Sequence, residues 1–314
     1  MAEILNVPEK RVDVVVDTDK YNEIDDQFAL AYLLSSGDRC NVLGIYAAPF
    51  VNDRTDNPTV GMNMSYDEIQ RLLKLMRLEN LKSITHKGSA EFLKDKRTPI
   101  ESEATDDLIR IAREHTSDNP LYIIAIAALT DIASALIKAP DIIGRIVVVW
   151  LGGKTRDFPD AAEFNLNKDV KAAQVVFDTC GNRLIQVPCM GCTSHFMTTE
   201  YELKHWLSGK NPLCDYLTQS VIDFHKSEED KAWSKPIWDV VAVAWLLNND
   251  ERFMRERVEN VPVITDDRKY VYAENRGKMK YVYYIKRDAL FQDLFEKLAD
   301  EKTRSEVYGK CKTN

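Results

Sequence analysis

The sequence lacks the marks of several large protein classes. No apolar run reaches the roughly 18 residues that a membrane span requires. Residues 1–10, MAEILNVPEK, have no basic start followed by an apolar core, so no signal peptide is expected. Positive charge is in deficit: 42 Lys and Arg stand against 50 Asp and Glu, a net charge of −8. Such an acidic chain is a poor partner for nucleic acid or an anionic membrane, and neither is expected to bind. Cysteines are few and scattered, six in 314 residues. A chain of this length buries about three quarters of its unfolded surface and needs no staples. Reduced thiols in the cytoplasm are therefore expected. Cys189 and Cys192 have CxxC spacing, but no second pair completes a zinc site. The pair follows the strand-like LIQVP rather than opening a helix, so two structural thiols are expected. The five histidines show no HxxxH spacing, and surface or packing roles are expected, with His86 and His225 nearest to regions a ligand could reach. Repeats, low-complexity stretches and linkers are absent, so residues 1–314 read as one domain.

What is present is globular: 45% hydrophobic and 29% charged residues. Strand-like runs at 11–17, 41–48, 121–127, 145–153 and 182–188 alternate with helical patterns at 25–37, 65–76, 130–140 and 168–181. The helix at 65–76 has a Ser cap and a Glu three residues on. This alternation predicts an α/β fold, an open, mostly parallel sheet with helices on both faces. Its near-continuous apolar strands fit burial on both sides. The last third is expected to be helical at 201–207, 212–225 and 236–247. Antiparallel strands or hairpins follow at 261–265, 269–275 and 279–286, then a helix over 288–300.

Open α/β sheets bind ligands at the carboxyl ends of their strands. The first strand ends in DTDKYNEIDD, with Asp17, Asp19, Glu23, Asp25 and Asp26 within ten residues. Crowded carboxylates repel unless a cation intervenes, and oxygen-only ligands suit Ca²⁺ or Mg²⁺. After the fourth strand-like run, Asp157, Asp160, Glu163, Asn165 and Asn167 crowd one loop. Such residues pair with sugar hydroxyls, and turns are rich in them too. Asp239 sits alone among apolar residues at a helix start, where an acid is ordinarily an N-cap.

These segments together resemble the nucleoside hydrolases of the inosine-uridine-preferring type. The matching stretches are VVVDTDKYNEIDDQFALAYLL, IAIAALTDIASAL, LGGK with AAEFNLNKDVKAA, and PIWDVVAVAWLL, in the family's order. The resemblance implies hydrolysis of the N-glycosidic bond of a ribonucleoside or related N-riboside, releasing ribose and base. It implies a Ca²⁺ site with Asp19, Asp26 and Asp239 as side-chain ligands and the Ile126 carbonyl beside them. It gives Asp25 the role of general base, and Glu163 and Asn165 the ribose hydroxyls. It also implies a homodimer or homotetramer.

The departures from the family pattern bear on the substrate. Two residues are added in DTDKYNEIDD, which brings Asn22 or Glu23 toward the site. Trp238 stands where a His is usual; it can stack on a leaving base but cannot protonate one. APFVND replaces a Gly-Asn pair, leaving Asn52 as its substitute, and Asp157 stands for an Asn. A non-catalytic ribose- or nucleoside-binding protein on the same fold is the alternative. A haloacid-dehalogenase-type phosphatase also closes its first strand with DTD, but Tyr21 departs from its pattern.

Overall fold

A computed structural model describes residues 6–20, 23–228, 231–301 and 304. Asn22 and Tyr21 lie outside the described residues. Six strands run in chain order: β1 (Val12–Thr18), β2 (Cys40–Ala47), β3 (Thr85–Lys87), β4 (Leu121–Ala125), β5 (Ile146–Leu151) and β6 (Leu184–Val187). Two short pairs follow, β7 (Met197–Thr198) with β8 (Lys235–Pro236), and β10 (Val263–Ile264) with β11 (Tyr270–Val271). Two long strands, β9 (Met254–Asn260) and β12 (Lys278–Ile285), complete the set. The main sheet has eight strands in the order β3-β2-β1-β4-β5-β6-β12-β9, all parallel except β9.

The helices are α1 (Asp25–Leu34), α2 (Pro58–Leu75), α3 (Glu103–Arg113), α4 (Thr130–Lys138), α5 (Phe164–Lys168) and α6 (Val170–Thr179). After them come α7 (Glu200–Trp206), α8 (Pro212–Phe224), α9 (Val240–Trp245) and α10 (Arg287–Ala299). Strand side chains alternate between two cores. Val14 and Val16 pack with α1, α9 and α10 on one face, and Val15 packs with α3, α4 and α6 on the other. Every residue of α1 is buried, because α9 and α10 cover the side that the sheet does not.

Several elements differ from expectation. Helix α2 begins at Pro58 under an Asn57 cap, and Ser65 lies inside it, donating to the Ala48 carbonyl. The helix expected at 168–181 is α6, capped by the Asp169 side chain, and a separate short helix, α5, precedes it. The helix expected at 236–247 is only α9, since Lys235 and Pro236 pair as a strand. The run at 279–286 enters the main sheet between β6 and β9 rather than forming a hairpin of its own.

Candidate active site

Strand β1 pairs with β2 on one side and β4 on the other, so the chain winds away from it in both directions. A crevice opens at the carboxyl ends of such a pair of strands. Here the Ile126 N–H donates to the Asp17 carbonyl at 2.9 Å, tying the end of β4 to that of β1. A cavity of about 230 Å³ lies above them. Asp19, Glu23, Asp25, Asp26, Ile126 and Asp239 line it, as do Glu163, Asn165 and Trp238.

The carboxylates converge from three elements. Asp25 and Asp26 occupy the first turn of α1, where the preceding Ile24 supplies no side-chain cap. Asp239 stands at the N-cap of α9 yet makes no capping bond. One oxygen from each of Asp25, Asp26 and Asp239 falls within 4.8 Å of the others, and all three residues are buried. Asp19 is buried beside them, and its Oδ2 has no hydrogen-bond partner among the described residues. Burial disfavours charge, and mutual repulsion adds to it. Burial pushes the Asp25 carboxyl up to about 6 against the pull of the Lys235 ammonium, and burial with repulsion from Asp25 pushes Asp26 to about 7 despite a hydrogen bond from the Thr18 hydroxyl. Asp19 and Asp239 are raised as well, for the same reasons. Lys20, fully buried, is lowered to about 7 by desolvation.

Glu163, also on the cavity wall, caps α5. Its carboxylate accepts the Asn165 N–H and, at 2.7 Å, the Gly153 N–H. Burial outweighs these bonds and lifts it to about 7. The Asn165 side chain donates to the Leu151 carbonyl at 3.0 Å. Both residues therefore hold the loop together while facing the cavity.

The profile of the inosine-uridine preferring nucleoside hydrolases matches residues 14–292. This chain belongs to that family. Pyrimidine-specific ribonucleoside hydrolases RihA from Enterobacter sp. (strain 638) and Salmonella newport (strain SL254) are 25% and 24% identical over 155 and 186 residues. Those matches take in 48% and 57% of this chain and 48% and 55% of theirs, so the chain spans about half the length of these curated relatives. A plant nucleoside hydrolase structure superposes with a TM-score of 0.69 at 18% identity, covering 93% of this chain and 99% of that one. A purine-preferring ribonucleoside hydrolase from Gardnerella vaginalis gives 0.70 at 16%, covering 91% and 98%. At these identities the two structures establish the fold, including its mostly parallel sheet.

Within this nucleoside hydrolase chain, not every residue singled out from sequence reaches the cavity. Asn52 and Asp157 are not among its lining residues. Asn52 turns back on its own loop, pairing with Thr55 and accepting from the Arg54 N–H. Asp157 is exposed, and the neighbouring Thr155 hydroxyl holds its carboxyl below the usual value. His225 stacks on Trp233 at 4.1 Å, and His86 lies against Asp107 at 3.5 Å; neither lines the cavity. Sequence reasoning missed the apolar wall of Leu151, Phe164, Cys189 and Met190. The rule that ligands sit beyond strand ends, applied to β5 and β6, would have found Leu151, Cys189 and Met190. Cys189 and Cys192 are free thiols, with Cys192 buried. No helix among the described residues is long and apolar enough to cross a membrane.

Proposed function

We propose that this chain hydrolyses the N-glycosidic bond of a ribonucleoside or related N-riboside, releasing ribose and base. One observation carries the reading: a buried carboxylate cluster, the Glu163–Asn165 pair and the Trp238 indole line one cavity. The donor set fits a divalent cation, because buried like charges crowd together and Asp19 keeps an unpartnered oxygen. Asp19, Asp26 and Asp239, with the Ile126 carbonyl, would hold it, and the all-oxygen set suits Ca²⁺. When bound, such an ion neutralises the cluster and makes a water more acidic.

The protein's own groups do the rest. A carboxylate takes the proton of the attacking water. The resemblance gives that role to Asp25. Asp25 stands buried against Asp26 and Asp239, which supports that role beside the ligands. Glu163 and Asn165 hold ribose hydroxyls and offset the positive charge of an oxocarbenium-like state. Trp238 stacks on the leaving group.

Ribose release, followed as reducing sugar over a panel of nucleosides, tests the activity. Binding without release would instead favour a non-catalytic ribose- or nucleoside-binding protein. Asp19→Asn and Asp25→Asn, assayed side by side, separate base from ligand. The base variant keeps calcium affinity in calorimetry and loses orders of magnitude in kcat; the ligand variant loses both. Asp26→Ala abolishes tight calcium binding, and wild-type affinity in that variant would sink the cation assignment. The same reading extends to a homodimer or homotetramer in the cytoplasm, tested by light scattering and fractionation.

A further inference from the structure

The Gly152–Gly153 turn after β5 supplies the N–H that holds Glu163, and a separate group of side chains lies directly behind that turn. Tyr270, from β11, places its hydroxyl so close that a Cβ on Gly153 would lie 2.1 Å from it. Gly153 also has φ +73°, so only glycine fits there. The Gln186 side-chain amide, from β6, donates to the Gly152 carbonyl at 3.0 Å and to the Tyr270 hydroxyl at 2.7 Å. Its carbonyl accepts from Arg156 at 2.8 Å. The Arg156 guanidinium lies against the rings of Tyr270 and Tyr281, at 4.1 and 4.5 Å, and is fixed at its far side by Glu259 at 3.0 Å. None of these side chains lines the cavity.

We propose that Tyr270 and Gln186, backed by Arg156, are positioning residues for Glu163. They fix the Gly152–Gly153 peptides so that the Gly153 N–H meets the Glu163 carboxylate, and thereby set where that carboxylate faces the sugar. The proposal rests on the ribohydrolase reading only for what Glu163 contacts. The chain of bonds from Arg156 to Glu163 is independent of it. The hairpin of β10 and β11 thus has a task at the site although it sits outside the main sheet.

The test is a double-mutant cycle of Tyr270→Phe and Glu163→Gln, read as kcat/KM on a cleaved nucleoside. Loss of the Tyr270 hydroxyl alone is expected to lower kcat/KM about tenfold, as small displacements of catalytic groups do. In the Glu163→Gln background the same change is expected to have no further effect. A structural role without coupling to Glu163 would give independent losses, and that additivity overturns the proposal. Hydrogen exchange at the Gly153 amide supplies a second arm that needs no turnover. Tyr270→Phe and Gln186→Met are each expected to speed it while amides of β1 and β4 keep their protection. Unchanged exchange at Gly153 in both variants refutes the positioning role. Should the wild type cleave no riboside, the ribohydrolase reading fails, and the exchange arm decides the proposal alone.

Discussion

Asp25 and Asp26 enter the folded state as weak acids. An aspartate in the unfolded chain loses its proton near 3.8, whereas folded Asp26 keeps it to about 7 and Asp25 to about 6. Between those values folding takes up protons. The stability they contribute is full below the lower value and is lost as pH rises through the upper one. In the presence of a chelator, the melting temperature is expected to fall between pH 5 and pH 8. Adding calcium at pH 8 is expected to restore it, since a ligand that binds only the folded state stabilises it. A melting temperature in chelator that stays flat across this range would contradict the picture. Trp238 lines the same cavity, next in sequence to Asp239. With no acid in its place, a leaving group that is a weak base departs most easily, so p-nitrophenyl riboside is expected to outrun inosine and uridine. Trp238→Ala is expected to raise KM for aromatic leaving groups roughly 5- to 160-fold, the equivalent of about 1–3 kcal/mol, the usual scale of base–aromatic stacking. An unchanged KM would reduce Trp238 to packing for α9.

Helix α1 shows how an element presents functional groups. Its side chains are buried all round, so its position is set by packing on the sheet, α9 and α10 rather than by amphipathic docking. Leu30, fully buried at its centre, is expected to cost about 2–5 kcal/mol when cut to Ala, measured by urea unfolding. Elements of this kind were legible in the sequence, because β1, β4 and β5 are apolar runs and α1 an apolar helix between clear boundaries. Asp19, Asp25, Asp26 and Asp239 stand out for a related reason, since each follows or interrupts an apolar run, whereas Glu163 and Asn165 lie in a polar loop and are singled out by the resemblance. Strand β9 was not read, since MRERVEN carries four charges in seven residues and only its pairing with β12 makes it a strand. The start of α2 was missed because Ser65 and Glu68 imitate a capping box, while Asn57 is the cap and Pro58 the first helical residue. Asn52 and Asp157 were drawn in by motif position, and neither is among the residues that line the cavity.

At the scale of the molecule, two cores share one sheet, so neither is complete without the strands between them. A single cooperative thermal transition, the same by circular dichroism and by tryptophan fluorescence, is therefore expected for the whole chain. Two separated transitions would divide it into domains. The strand order also has a consequence for how the protein is made. Strand β12 is inserted between β6 and β9, and β9 has no other neighbour in the sheet. Translation delivers residues 184–187 roughly ninety residues before their partner, which at about 5–20 residues per second leaves β6 an open edge for some seconds. An unpaired apolar edge recruits other chains. Ribosome stalling or a stop codon between β9 and β12 is therefore expected to yield insoluble product, assayed by pelleting, while release after residue 301 yields soluble protein.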